Sequence, residues 1–131
     1  MIDVLHRLPS GPLRAVTWDD VVRIGLELPG VEVGTAYGTP ALRVRRAFMC
    51  RLREDGETLA IRCDLDERPF LIEANDGVLF VTPHYEAWPM VLVALPRADE
   101  QLVRELVEDV WVERAPKKLA AEFLATRGDQ A

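Results

Sequence analysis

Arginine recurs beside apolar residues in three short segments of the sequence, ALRV, FMCRLR and LAIRC. The guanidinium group is a planar donor that pairs with phosphate or carboxylate oxygens through two parallel hydrogen bonds. Two more arginines directly follow the first segment, where a hairpin loop is expected. The candidate nucleic-acid contacts are Arg43, Arg45, Arg46, Arg51, Arg53 and Arg62, with Lys117 and Lys118 as further cations. Phosphate oxygens are the ligand that this set predicts.

The alternative interpretation of these arginines is an ordinary solvated face of a sheet. Acidic residues stand close by in the sequence, at Glu54, Asp55, Glu57 and Asp64, and exposed ion pairs with them would neutralise the arginines. The whole chain has a net charge of -6, from 22 acidic and 16 basic side chains. Such a charge repels a polyanion unless the cations gather on one face, so the sequence leaves both interpretations open.

Aromatic and polar-tipped residues mark a second candidate site. The stretch TAYGTP displays Tyr37 between glycine and proline residues, and PHYEAWP, residues 83–89, holds His84, Tyr85 and Trp88. Loops with these residue types are typical of a small-molecule or protein-binding pocket, or of a platform on which bases stack. The alternative is that the rings seal the edge of the sheet and that His84 makes one structural hydrogen bond. PHYEAWP is called the aromatic loop below.

Enzymatic chemistry and metal binding find little support among the residue types. His84 and Glu86 point the same way from an extended loop, yet no nucleophile or third orienting group accompanies them. Cys50 and Cys63 lack the paired spacing of a zinc site, which favours buried free thiols. The acidic residues of the last long helix are interrupted by arginine, as on a solvated face. We therefore expect a non-enzymatic protein with no metal and no cofactor.

Length and composition predict one domain. A chain of 131 residues lies close to the commonest domain size, and 49% apolar with 29% charged residues is typical of a globular protein. No apolar run approaches the roughly 20 residues of a membrane span, and the first residues do not resemble a signal peptide, so a cytoplasmic location is expected. The predicted parts are a leader (1–16), which includes His6, a domain (17–126) and a polar tail (127–131).

Hydrophobic periodicity predicts a helix over 18–28, capped by Thr17 with Asp20, and then three strands in ALRV, FMCRL and TLAIRC. Asp55-Gly56 fits a turn that sets Leu52 opposite Leu59. For the preceding connection we expect a three-residue loop, 45–47, since a two-residue turn would place Val44 and Phe48 on opposite faces. Inward positions are then Leu42, Val44, Phe48, Cys50, Leu52, Leu59, Ile61 and Cys63. Outward positions are Ala41, Arg43, Met49, Arg51, Arg53, Ala60 and Arg62.

The second half of the sequence predicts a short helix in DLDERPFLIEAN, capped by Asp64 or Asp66, and strands in LFVT and MVLVAL on either side of the aromatic loop. A long helix capped by Asp99 and a last helix after Pro116 complete the chain. The predicted apolar stripe of the long helix consists of Leu102, Val103, Leu106, Val107, Val110 and Trp111. These elements predict an α+β fold: a two-layer sandwich in which helices cover one face of an antiparallel sheet. The other face is expected to be open, and an edge of the sheet permits a homodimer as well as a monomer.

Four motifs occur in order along the chain, in LPGVEVGTAYGTPALRV, RLREDGETLAIRCD, VTPHYEAWPMVLVAL and WVERAPKKLA. Over about residues 17–121 the sequence resembles the MmcQ/YjbR family. The resemblance implies a fold similar to that of the bacterial frataxin CyaY. It also implies DNA as a partner, since members are described as DNA-binding through a double-wing arrangement, and it brings no set of catalytic residues. Arg45-Arg46-Ala47 departs from the glycine- or lysine-containing turn of relatives and adds positive charge there.

Overall fold

The structure, a computed structural model, describes residues 15–130, with side chains to residue 127. Within that range the chain forms four helices and six strands, and short 3-10 turns lie at Pro83–Tyr85 and Leu95–Arg97. The helices are α1 (Trp18–Leu26), α2 (Arg68–Ala74), α3 (Glu100–Arg114) and α4 (Lys117–Gln130). The strands are β1 (Val31–Ala36), β2 (Thr39–Val44), β3 (Ala47–Leu52), β4 (Thr58–Arg62), β5 (Leu79–Phe80) and β6 (Met90–Ala94).

The strands form one antiparallel sheet in the order β1-β2-β3-β4-β6-β5. This confirms the predicted α+β class. Most of the predicted leader lies outside the described residues, His6 included, whereas α4 runs through most of the stretch predicted to be a polar tail. No helix within residues 15–130 is long and apolar enough to cross a membrane.

Helix ends follow the capping signals of the sequence. Thr17 and Asp20 form the predicted capping box of α1, and the carboxylate of Asp99 accepts from the backbone N–H of Leu102 at the start of α3. For α2 the prediction was wrong, since Glu67 occupies the N-cap and no side chain caps the helix. Asp64 instead accepts from the backbone N–H of Asp66, one turn earlier in the chain.

The main core lies between the sheet and the helices. The apolar stripe of α3 is buried as predicted, with Trp111 fully enclosed and its indole N–H donating to the carbonyl of Pro29 at 2.8 Å. Leu42, Val44, Leu59 and Ile61 meet this stripe from the sheet. Burial of these side chains is the main stabilising contribution, because each fully buried aliphatic side chain contributes about 1.5–3 kcal/mol.

No strand was predicted between the first helix and ALRV, yet β1 occupies Val31–Ala36. β1 pairs with β2 through a two-residue turn in which Tyr37 and Gly38 have φ values of 53° and 80°. Positive φ at both positions is what a type I′ hairpin turn requires. The turn holds the Tyr37 side chain 85% exposed. It therefore presents an aromatic ring to solvent at the end of an edge strand.

The connection between β2 and β3 differs from the predicted three-residue loop. Arg45 and Arg46 alone form the turn, both at positive φ, and Val44 pairs with Ala47. The register then shifts, so that Arg43 pairs with Phe48 but Leu42 pairs with Cys50. This β-bulge inserts one residue and restores the inward direction of Cys50.

The bulge exchanges the predicted positions of two neighbouring residues. Met49, predicted to point outward, is fully buried in the main core, whereas Phe48, predicted to point inward, is half-buried on the opposite face beside Arg43. The following hairpin has the predicted register, with Leu52 opposite Leu59 and Cys50 opposite Ile61. Both cysteines are buried free thiols, and burial raises the pKa of Cys50 to about 12.

The sheet face opposite the main core is covered in part, contrary to the expected open face. Ala60 and Leu92 of the sheet pack there against Tyr85, with Phe80, Val81 and Met90 around them. Ala41 and Arg51, predicted to be outward and solvated, are buried. The cover is provided by the aromatic loop, because its Tyr85 folds back onto β4 and β6.

Candidate functional site: an arginine- and aromatic-lined groove

A groove of about 900 Å³ crosses this second face of the sheet. The sheet forms its floor, the aromatic loop forms one wall, and the β1–β2 turn forms the other. The lining residues are Ala36, Tyr37, Arg43, Phe48, Arg51, Arg62, His84, Tyr85, Trp88, Pro89 and Met90. This volume lies within the range of small-molecule sites. The structure thus brings three predicted arginines and all four predicted aromatic-site residues into one site.

Arg51 connects the two walls from beneath. Its guanidinium group donates to the hydroxyl of Tyr85 at 3.1 Å and to Thr39 Oγ1 at 2.9 Å, and it lies 5.3 Å from the centre of the Tyr37 ring. Only 8% of the residue is exposed. Arg51 is therefore part of the frame of the groove, where hydrogen bonds and a cation–π contact hold both tyrosines.

Glu54 balances part of the charge of Arg51 at a distance of 3.4 Å. A hydrogen bond from its own backbone N–H lowers the pKa of the Glu54 carboxyl, and the positive charge of Arg51 lowers it further. Glu54 lies outside the lining of the groove. The lining carries the guanidinium groups of three arginines and, within the described part of the chain, no carboxylate.

Arg43 and Arg62 retain donors that face the groove. Arg43 donates through Nη1 to the carbonyl of Thr35 at 2.8 Å, and Arg62 donates through Nε to Glu113 at 3.0 Å. Within residues 15–127, the structure shows no hydrogen-bond acceptor for the remaining N–H groups of these two side chains. Both residues are half-buried, so these N–H groups are accessible to a ligand from solvent.

The other predicted cations lie outside the lining. Arg53 stacks on the Tyr85 ring, with its guanidinium carbon 5.2 Å from the ring centre. Arg45 and Arg46 are exposed at the tip of the β2–β3 turn, and Lys117 and Lys118 are exposed at the start of α4. Arg114 donates to the carbonyl of Phe48 at 3.2 Å, which brings the end of α3 close to that turn. Of the eight predicted cations, three therefore line the groove and Arg53 stacks on one of its tyrosines. The other four are exposed at the β2–β3 turn and at the start of α4.

The aromatic loop is held by a residue that the sequence analysis did not single out. Arg68, at the start of α2, is 9% exposed and donates to the backbone carbonyls of Tyr85, Glu86, Trp88 and Met90. The four distances lie between 2.7 and 3.3 Å. Because the guanidinium group has five N–H donors in a fixed plane, one side chain can satisfy several carbonyls of an irregular loop.

His84 and Trp88 stand at the exposed side of the aromatic loop. The His84 ring meets Tyr85 edge to face at 5.0 Å, and Trp88 is 59% exposed. The backbone carbonyl of Glu86 accepts from Arg68. Within the described residues, no group of three or more histidine, cysteine, aspartate or glutamate side chains is arranged to hold a metal ion.

Comparison with known proteins assigns the chain to a family. The family model described as YjbR matches residues 26–112, which includes the turn of Tyr37, the floor of the groove and the aromatic loop. The chain belongs to the YjbR family. Uncharacterized proteins of Mycobacterium tuberculosis and Mycobacterium bovis are each 33% identical to this YjbR chain over 127 residues, covering 86% of it and 98% of the relative.

The fold of the YjbR chain has a counterpart among solved structures. A Deinococcus radiodurans protein with a domain described as DUF419 has a TM-score of 0.60 at 18% identity, and the match covers 79% of this chain and 80% of that one. At this identity the likeness shows the fold alone. The family resemblance stated from the four sequence motifs is confirmed by the family model and by the mycobacterial relatives.

Two residues of the site escaped the sequence analysis for different reasons. Phe48 was assigned to the core because the bulge beside it leaves no mark in the alternation of apolar residues. Arg68 stands in a polar stretch, DLDERP, where nothing distinguishes a buried arginine from an exposed one. A signal did exist for β1, since Val31, Val33 and Thr35 alternate before a two-residue turn that ends in glycine.

Proposed function

We propose that this YjbR chain is a non-enzymatic binding domain whose groove takes a small anionic ligand with an aromatic ring. The observation that carries the proposal is the composition of the lining, in which three arginines and five aromatic rings occur and residues 15–127 contribute no carboxylate. In a chain with a net charge of -6, this lining is locally rich in positive charge, and the carboxylates of Glu54 and Glu113 balance part of it from outside the groove. Arginine donors suit carboxylate or phosphate oxygens, and the rings provide apolar surfaces for stacking.

The walls of the groove support the same proposal. Tyr37 and Trp88 are exposed at its two sides, and each occupies a segment fixed by other residues: a two-residue turn for Tyr37 and the contacts of Arg68 for Trp88. Backbone segments that are already in position lose little conformational freedom when a ligand binds, so more of the contact energy appears as affinity.

An aromatic carboxylate such as 2-naphthoate should raise the melting temperature of the protein. At a tenfold excess over Kd, mass action adds about 1.4 kcal/mol to the free energy of unfolding, or about 5 °C for a domain of this size. Trp88→Ala, and Arg43→Gln combined with Arg62→Gln, should each reduce the shift, whereas Arg97→Gln, outside the groove, should preserve it. Differential scanning fluorimetry measures these shifts. An equal rise for all variants would refute binding in the groove.

Duplex DNA is a second candidate partner, favoured by the exposure of Arg45 and Arg46 at the tip of a hairpin. Both residues have positive φ and form a tight two-residue turn, and exposed Lys117 and Lys118 begin the helix that follows Arg114. Cations at a projecting turn can reach a phosphate backbone without the groove. The predicted contacts in this case are the turn and the two lysines.

For this second candidate, we expect Arg45→Ala combined with Arg46→Ala to weaken binding to duplex DNA. The slope of log affinity against log salt should also fall by about 2, because two phosphate contacts are lost. Arg97→Ala combined with Arg127→Ala removes the same charge elsewhere and should leave the slope nearly unchanged. Fluorescence anisotropy over a salt series provides the measurement. Equal slopes for the two double variants would exclude the turn as the contact.

A further inference from the structure

Two guanidinium groups flank an aromatic ring on the floor of the groove. Arg43 of β2 pairs directly with Phe48 of β3, and Arg62 lies on β4 next to Ile61, whose partner is Cys50. The three residues therefore form a row across three neighbouring strands. The backbones of Arg43 and Arg62 are roughly 10 Å apart, since adjacent strands are separated by about 4.8 Å.

The hydrogen bonds of the two arginines connect their side chains to different elements of the fold. Arg43 leans over β1 to the carbonyl of Thr35, and Arg62 turns to Glu113 at the end of α3. Each bond uses one N–H group of its guanidinium, so each side chain keeps donors for a ligand. Phe48 lies between the two arginines and lines the groove.

We propose that the ligand of the groove is a flat aromatic dianion, with its two acidic groups at opposite ends of the ring system. This inference rests on the proposed function and adds the number and placement of the charges. The ring system stacks on Phe48, one acidic group pairs with Arg43, and the other pairs with Arg62. The walls contribute Tyr37 and Trp88 as lateral contacts.

The geometry excludes a compact anion as the best ligand. A single carboxylate or phosphate group reaches one of the two guanidinium groups and leaves the other solvated, since the backbones of Arg43 and Arg62 are roughly 10 Å apart on either side of Phe48. A flexible aliphatic dianion reaches both but offers no flat face to Phe48, and it loses rotational freedom on binding. A rigid two-ring dicarboxylate satisfies all three residues of the row.

The test compares 2,6-naphthalenedicarboxylate with 2-naphthoate and with adipate, by nitrogen-15 NMR titration of the unchanged protein. The indole N–H of Trp88 and the Nε–H of Arg43 and Arg62 report on the groove directly. We expect the dicarboxylate to bind at least about tenfold more tightly than 2-naphthoate, since a second charge-assisted hydrogen bond contributes at least about that factor. Adipate should also bind more weakly than the dicarboxylate, because it has no ring to stack on Phe48 and loses rotational freedom on binding. Addition of the dicarboxylate should shift the NMR signals of Trp88, Arg43 and Arg62.

Variants assign the two charges to the two arginines. Arg43→Gln and Arg62→Gln should each bring the dicarboxylate to within about twofold of 2-naphthoate, while Arg97→Gln should keep the difference. Equal affinities of the two naphthalene ligands for the unchanged protein would overturn the dianion inference and leave the proposed anion site standing. If no ligand shifts the groove signals, the proposed function fails as well. Because the ligand comparison uses the unchanged protein, it does not depend on the folding of any variant.

Discussion

Replacing Arg68 by methionine is expected to lower the free energy of unfolding by about 3–5 kcal/mol. Methionine has a similar length but no N–H donors, so the carbonyls of Tyr85, Glu86, Trp88 and Met90 lose the hydrogen bonds that hold the aromatic loop. The carbonyls of Tyr85 and Trp88 keep the backbone donors of Trp88 and Met90, whereas the described residues provide no second donor to the carbonyl of Glu86. The loss is therefore mainly that of four hydrogen bonds from a charged donor. The loop should therefore detach from the sheet face, or the whole domain should lose stability.

Chemical denaturation followed by circular dichroism measures the change for Arg68→Met. Arg97→Met is the matched control, since exposed Arg97 makes a single hydrogen bond to the carbonyl of Gly77 and should cost less than about 1 kcal/mol. Hydrogen exchange adds a local readout, because the backbone N–H groups of Tyr85 and Trp88 donate within the loop and should lose protection. Equal stability of the two variants would contradict the role given to Arg68.

Trp111→Ala should have a similarly large effect, with a loss of about 3–5 kcal/mol. Trp111 is fully buried between α3 and the sheet, its ring meets Phe123 of α4 at 4.8 Å, and its indole N–H donates to the carbonyl of Pro29. Alanine leaves a cavity, removes the ring contact between α3 and Phe123 of α4, and leaves the carbonyl of Pro29 without the indole donor. The midpoint temperature of thermal unfolding and the midpoint concentration of urea unfolding should both decrease.

Trp88→Ala provides the matched comparison for Trp111→Ala, because it removes the same side chain from an exposed position. We expect it to cost less than about 1 kcal/mol, since 59% of Trp88 is already in contact with solvent. The two tryptophans thus separate stability from binding: one variant should unfold easily, and the other should fold normally and respond less to an aromatic anion. A large stability loss for Trp88→Ala would favour the aromatic-seal interpretation of the loop.

The groove unites two hypotheses that the sequence had kept apart. Arginines on the sheet and aromatic residues in loops were assigned to different partners, yet Arg43, Arg51 and Arg62 line the same groove as Tyr37 and Trp88. The reason is topological: the β1–β2 turn and the aromatic loop both lie against the sheet face opposite the helices. Arg51 was predicted to face solvent and contact nucleic acid, but in the structure it binds Tyr85 and Thr39 and supports the groove.

The sequence by itself determined the α+β class, the capped starts of α1 and α3, the register of β3 with β4, and the family. These features depend on local signals: hydrophobic periodicity, capping residues and turn residues act over a few positions of the chain. The buried stripe of α3 is an example, because its spacing alone predicts which face of the helix meets the sheet.

Only the tertiary structure decided which residues form the groove. The two-residue turn at Arg45 and Arg46, together with the bulge after it, turned Phe48 toward the second face and Met49 into the core. Arg68 became a loop anchor because residues 17 to 22 positions later in the sequence fold back over it. Neither outcome has a local signal, since each depends on a backbone irregularity or a distant acceptor that exists only once the chain is folded.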